Sequence, residues 1–335
     1  MGGTGQDRLL GGAGDDELRG GEGDDYLVSG EGLDRLYGQA GGDFLQLRDA
    51  TAGDVADGGD GFDRMEYSGS AAGEVMDASG GDLIVNGVTV DLIGIEALGL
   101  YGGDGDDALT GSAGDDLLDG SAGDDELYGG EGRDTLEGSG GLDRLYGQAD
   151  DDFLRLSDAA ESSVADGGDG FDQLQYIGSA AGEVMDASGG SLVVNGVTVD
   201  LVSIEVLLLY GLQGDDRLVG RSGSDHLIGG KGTDTLNGGL GEDNLFGQDD
   251  ADRFIFGPGW GHDWIFDFED GATGSQDLID VSAYGITSFD QLRISGNTVD
   301  LGASAGGTVG VDTVTISFSA GNVTTLSSED FIFAA

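Results

Sequence analysis

A nine-residue clock constrains this chain more than any other feature. Residues 11–28 read GGAGDDELR and then GGEGDDYLV, and the same phase, GGxGxDxLx, runs through residues 2–46, 102–155 and 211–255 in five, six and five units. The sixth position is Asp in every unit: Asp7, Asp16, Asp25, Asp34 and Asp43 in the first block; Asp107, Asp116, Asp125, Asp134, Asp143 and Asp152 in the second; Asp216, Asp225, Asp234, Asp243 and Asp252 in the third. The eighth is Leu in all units but the last, which has Phe254. Repeats this short bury their apolar residue only against neighbouring copies, so the chain must stack.

A longer period lies over the first. GLDRLYGQAGGDFLQLRDA, from residue 32, returns as GLDRLYGQADDDFLRLSDA from residue 141, and SAAGEVMDASGGDLIVNGVTVDL returns as SAAGEVMDASGGSLVVNGVTVDL at the same offset of 109. The organisation that follows is repeat block 1–46, spacer 47–101, block 102–155, a duplicate spacer 156–210, block 211–256 and a different C-terminal region, 257–335. Each spacer holds a displaced unit, GGDGFDRME at 58–66 and GGDGFDQLQ at 167–175. Each also holds an apparent hairpin with an Asn-Gly turn, IVNGVTVDL or VVNGVTVDL. The spacers therefore read as larger, irregular coils of the same stack. Beyond 257, GPGWGHDWIFDFEDG and alternating runs such as VTISFS read as a few antiparallel strands forming a β cap, which a solenoid end requires. The fold class is all-β.

Glycine, at 70 of 335 residues, is far above its usual ~7% share. In GGxGxDxLx the glycines at positions one, two and four permit positive φ, so six residues turn sharply and gather carbonyls, while the last three form a very short strand with Leu inward. Leu on one side and Asp on the other then separate a core from an ion row.

The charge sharpens this. Sixty-six acidic against 13 basic residues give a net charge of −53, which repels nucleic acid and anionic lipid and makes cations the natural partners. Stacked coils would bring Asp rows to ~4.8 Å spacing, each adjacent pair costing ~1 kcal/mol even in water. The bare roll should not hold. A hard cation between turns reverses the sign, and with no cysteine and two histidines the oxygen-rich donor set selects calcium over zinc. No run reaches 18 apolar residues and MGGTGQDRLLGG has no basic-then-apolar leader, so neither membrane insertion nor a cleaved signal peptide is expected.

These blocks resemble the hemolysin-type calcium-binding repeats of RTX proteins, over ~145 residues directly. The resemblance implies a parallel β-roll solenoid with two nonapeptides per 18-residue coil and calcium between turns, held by the position-six Asp residues named above and by turn carbonyls. Same-sheet partners would lie two units apart, such as Asp7 with Asp25, Asp16 with Asp34 and Asp25 with Asp43. Three, four and three such pairs give about ten Ca2+ sites. Gln39, Gln148 and Gln248 replace the second glycine, Asp150 and Asp250 the fourth, and Leu212 and Arg221 interrupt the third block, which weakens the edge sites. The resemblance further implies extracellular localisation through bacterial type I secretion machinery, with DFIFAA, Asp330 to Ala335, similar to an uncleaved export signal.

Other residues have plainer readings. Asp63 and Asp172, in the displaced units, stay open between ligand and solvated acid. His262, between Trp260 and Trp264, reads as cap structure, and His226 as a surface residue. GASAG around Ser304 lacks the strand–turn–helix of a nucleophile elbow. Acidic pairs such as Asp15–Asp16 repeat too often to be glycosidase carboxylates. The expected role is therefore non-catalytic: a calcium-binding secreted β-roll with a structural or adhesive role, meeting a cell-surface or extracellular polysaccharide. The competing reading is the export and stabilising part of a larger secreted enzyme, a protease, lipase or polysaccharide epimerase, with its catalytic domain upstream. That reading is prompted by a chain that opens at position one of a repeat. A third makes the spacers a ligand-binding surface, though AAGEVMDASGG is more apolar than catalytic.

Overall fold

The computed structural model describes residues 1–157, 162–269, 275–295, 297–301, 312–318 and 326–335. The chain divides into two compact units, Met1–Asp172 and Gln173–Ala335. Each is a parallel β-roll whose successive strands alternate between two sheets.

In the first unit, one sheet takes Arg8–Ala13, Tyr26–Glu31, Phe44–Leu47 and Arg64–Ser68, and the other takes Glu17–Glu22, Arg35–Ala40 and Val55–Asp60. Pairing is parallel and repeats every 18 residues within a block: Leu9 lies opposite Leu27, Leu27 opposite Leu45, and Leu18 opposite Leu36. At the displaced unit the step lengthens, placing Leu45 opposite Met65 and Leu36 opposite Ala56. Residues 108–157 repeat the arrangement, with Leu118 opposite Leu136, Leu136 opposite Leu154 and Leu127 opposite Leu145. These stacked leucines are fully buried from Leu27 onward. Each closes a layer of core only because the next coil covers it.

The strands are longer than the three residues expected. Glu17–Glu22 runs from position seven through position three of the next unit, and most block strands have this six-residue span. The Gly-Gly pair belongs to the strand because the neighbouring coil supplies ladder hydrogen bonds that an isolated unit lacks.

The spacer widens one coil. Val75–Asp77, Leu83–Val85 and Val88–Ile93 form an antiparallel excursion, joined by the expected two-residue turn with Asn86 and Gly87 at φ 49° and 81°. Its last strand returns parallel to Val55–Asp60, and Ala97–Asp104 then resumes the roll beside Arg64–Ser68. In the second unit Val184–Asp186, Leu192–Val194 and Val197–Val202 repeat this excursion, and Val206–Gln213 resumes beside Gln173–Ile177.

The C-terminal region of the second unit is mixed. Arg293–Ser295, Thr298–Asp300 and Thr313–Phe318 are antiparallel, as the alternation implied. His262–Phe268 and Phe331–Ile332 instead join in parallel, to Asn244–Asp249 and to Leu278–Asp280. Phe254, Phe256 and Phe268 fill its interior. The sequence DFIFAA is packed: Asp330 closes a capping box with Ser327, and Phe331 lies against Phe289 with ring centroids 5.8 Å apart.

Candidate metal centre

Each position-six Asp ends a turn and opens a strand. All sixteen except Asp7 and Asp16, at the open end of the stack, are buried. Here the structure corrects the sequence reading, which put Asp and Leu on opposite sides. Positions six, eight and one share a face because side chains alternate along a strand, so carboxylate and leucine both turn inward, the carboxylate at the edge of the core.

The expected partners do come together. The backbone N–H of Asp7 donates to Asp25 Oδ1 at 2.8 Å, Asp25 to Asp43 at 2.7 Å, and Asp16 to Asp34 at 2.9 Å. The same bond joins Asp107 to Asp125, Asp125 to Asp143, Asp116 to Asp134 and Asp134 to Asp152. In the second unit it joins Asp216 to Asp234, Asp234 to Asp252 and Asp225 to Asp243. Acids outside the phase extend these ladders: Asp34 donates to Asp54 and Asp43 to Asp63, Asp152 to Asp172, Asp243 to Asp263 and Asp252 to Asp277. The GGDGFD text pointed to Asp63 and Asp172. Asp54, Asp263 and Asp277 sit at spacings of 20 or 25 residues, which a nine-residue search cannot see.

From Asp25 onward one oxygen of each position-six carboxylate thus has a donor, which for Asp107, Asp116, Asp216 and Asp225 is the N–H of Glu74, Leu98, Glu183 and Leu207. The second, Oδ2, is buried without a donor in Asp16, Asp25, Asp34, Asp43, Asp107, Asp125, Asp134, Asp143, Asp152, Asp216, Asp234, Asp243 and Asp252. A buried anionic oxygen with no partner is costly. Burial accordingly pushes the carboxyls of Asp134 and Asp252 up to about 8, of Asp152, Asp216 and Asp243 to about 7, and of Asp43, Asp107, Asp125, Asp143 and Asp234 to about 6. Backbone hydrogen bonds to the ionised form oppose the rise in each without cancelling it.

The position-one glycine frames this oxygen. A Cβ built on Gly11 would lie 2.9 Å from both Asp16 Oδ2 and the carbonyl oxygen of Ser29, one coil on, and one on Gly129 would meet Asp134 Oδ2 and, at 2.6 Å, the Gly147 carbonyl. This glycine is therefore required by close approach and not, as the sequence suggested, by positive φ, which no position-one residue of the blocks adopts. Positive φ falls at positions two and four, and is kept even where glycine is replaced, as at Gln39 (86°), Gln148 (86°) and Asp250 (77°).

Carboxylate and carbonyl oxygens gathered at a glycine form a hard, all-oxygen donor set that suits calcium. Among the described residues no three acidic or histidine side chains converge, so carbonyls and water would complete any coordination shell. Two position-six residues fit less well. Asp116 Oδ2 accepts from the Ser112 N–H at 2.6 Å and from Ser112 Oγ at 2.9 Å, and Asp225 Oδ2 accepts from the Arg221 N–H at 2.7 Å. Both of their oxygens already have donors.

Sequence reasoning took the repeated acidic pairs, such as Asp15–Asp16, as a sign of ion binding and missed that their first members form a second row. Position-five acids remain exposed, and five of them accept the N–H of the position-five residue one coil later: Asp15 from Leu33, Asp24 from Gly42, Asp106 from Asp124, Asp115 from Arg133 and Asp215 from Thr233. The DD pairs carried that signal.

A family model described as RTX calcium-binding nonapeptide repeat (4 copies) matches residues 1–36, 28–46, 101–136, 128–158, 210–245 and 228–265. The chain carries RTX calcium-binding nonapeptide repeats. The matches coincide with the three RTX blocks and the residues flanking them, and leave most of both spacers and the region beyond 265 unmatched. No curated protein matches the chain. A similar solved structure is the extracellular lipase LipA from Serratia marcescens, 17% identical over 98% of this chain and 40% of that one, with a TM-score of 0.21. The chain thus spans less than half the length of that lipase, and at that score the likeness bears on neither fold nor activity.

His262 lies edge-on to Trp264, ring centroids 4.3 Å apart, and bonds Thr313 and Thr315. His226 is half-buried rather than a surface residue, 3.2 Å from the Asn244 amide, and burial lowers its pKa. Ser304 lies outside the described residues.

Proposed function

We propose that this chain is a secreted, calcium-dependent β-roll that folds on meeting extracellular calcium and serves a structural or adhesive role without catalysis of its own. The observation that carries the reading is the file of buried, donorless Oδ2 atoms along each ladder, which at Asp16, Asp25, Asp43, Asp134, Asp152 and Asp216 share their position-one glycine with a carbonyl of the next coil. A divalent cation supplies what those oxygens lack, and the same oxygens oppose folding without it.

In this reading the position-six residues from Asp7 to Asp252 are the ligands, paired 18 residues apart, with about ten ions at full occupancy. Asp116 and Asp225 contribute least, since their second oxygens are taken. The blocks 1–46, 102–155 and 211–256 carry the ions, the spacers 47–101 and 156–210 widen the coil, and 257–335 caps it. Low cytosolic calcium keeps the chain unfolded for type I export, and residues Asp330–Ala335 carry the export signal.

A calcium titration followed by circular dichroism and native mass, with magnesium as control, tests the central claim. Full β structure in EGTA, or an equal response to magnesium, would overturn it. Secretion unchanged after removal of residues 330–335 would overturn the export part alone.

A further inference from the structure

The spacers contain a repeat unit that the consensus hides. GSAAGEVMD occupies residues 69–77 and again 178–186, outside the matched RTX residues. Val75–Asp77 pairs in parallel with Ala108–Thr110, Met76 opposite Leu109, and Val184–Asp186 pairs likewise with Arg217–Val219, Met185 opposite Leu218. That register puts glycine at position one, Glu74 or Glu183 at position six, and Met in place of Leu at position eight.

The glutamates take up the ladder bond of an RTX aspartate. The Glu74 N–H donates to Asp107 Oδ1 at 2.6 Å, and the Glu183 N–H to Asp216 Oδ1 at 2.6 Å. Both side chains are buried, at 6% and 4% exposure. Ser70 and Ser179 hydroxyls donate to the Oε1 atoms, while Glu74 Oε2, Glu183 Oε2, Asp107 Oδ2 and Asp216 Oδ2 have no donor. A Cβ on Gly69 would lie 3.0 Å from Glu74 Oε2 and against the Gly102 carbonyl. One on Gly178 would lie 3.0 Å from Glu183 Oε2 and 2.9 Å from the Tyr210 carbonyl.

The choice of Glu has a geometric reason. At Asp116 a serine in position two takes the second oxygen and closes the site. Glutamate is one methylene longer, so the serine holds Oε1 and Oε2 stays open. The two copies keep all nine residues although nearby positions differ, as at Asp82 against Ser191 and Gly94 against Ser203.

We propose that Glu74 with Asp107, and Glu183 with Asp216, each hold one further divalent cation, calcium by donor chemistry, fastening each spacer to the repeat block that follows it. The inference rests on the reading that position-six carboxylates of this chain bind calcium.

Native mass spectrometry of the full chain in saturating calcium tests it, with circular dichroism to confirm folding. Glu74→Gln and Glu183→Gln should each carry one ion fewer than the unaltered chain, and the double variant two fewer. Glu74→Ala, which removes both oxygens, should match Glu74→Gln, and so should Glu74→Asp, because Ser70 would close the shorter carboxylate as Ser112 closes Asp116. A double variant holding as many ions as the unaltered chain overturns the proposal and points to carboxyls that share a proton instead. If the double variant does not fold, the single variants decide in the same way. An unaltered chain that binds no calcium brings down the repeat reading too, a separate and recognisable result.

Discussion

The backbone amide of Asp134 donates to Oδ1 of Asp152, 2.8 Å away in the next coil of the same sheet, and the second carboxylate oxygen of each has no donor. One oxygen therefore helps to build the stack, and the other opposes it unless something neutralises its charge. Asp134→Asn separates the two roles, because the amide oxygen can keep the ladder bond from Asp116 while the charge is lost. The variant should gain on the order of 1–3 kcal/mol in a chelator and lose stability in saturating calcium. Residual β structure by circular dichroism in a chelator and thermal unfolding in calcium measure the two signs, and a loss in both would contradict the division.

Acid should partly replace the metal. These carboxyls titrate near 4 in an unfolded chain, whereas burial raises those of Asp43, Asp125, Asp152 and Asp134 in the roll to about 6, 6, 7 and 8. A raised folded pKa contributes stability that is complete below about 4 and lost as pH rises through 6 to 8. In EGTA, dilute protein should therefore gain β structure between pH 8 and pH 5. In calcium the trend should reverse, because protons displace the ion. Circular dichroism against pH in the two buffers is the measurement.

Glycines at positions one and two answer to different demands. Gly20→Ala would drive a Cβ into Asp25 Oδ2 and to 2.8 Å from the Gly38 carbonyl, and should cost about 1–3 kcal/mol with weakened calcium binding. Gln39 holds φ at 86°, so Gln39→Gly relieves left-handed strain and should stabilise the loaded roll by about 1 kcal/mol. Denaturant midpoints in calcium would show the opposite signs.

The leucine file should behave as a true core. Leu136 is fully buried between Leu118 and Leu154. Leu136→Ala should cost about 2–5 kcal/mol in calcium. A smaller loss would mean that the coils can collapse onto the cavity.

Much of this fold was legible in the sequence. The nine-residue phase, together with the two units per coil that the RTX resemblance implies, set the same-sheet pairing of Asp7 with Asp25, and the Asn86–Gly87 turn was readable from two residues. What escaped was whatever depended on the next coil. The strands are twice the expected length because neighbouring glycines complete the ladder. Asp54, Asp263 and Asp277 join the ladders although their spacing breaks the clock, and Glu74 was hidden by a change of acid.

By itself the sequence determined the period, the residue types at each position and hence the all-oxygen chemistry, because a short repeat repeats its chemistry wherever it is placed. Tertiary structure decided which oxygen of each carboxylate is free. It turned the aspartates inward beside the leucines, spent Oδ1 on the adjoining coil, closed Asp116 and Asp225 with their own turns, and left most of the other Oδ2 atoms buried without a donor. Those outcomes depend on where a neighbouring backbone lies to within an ångström, and only stacking fixes that distance.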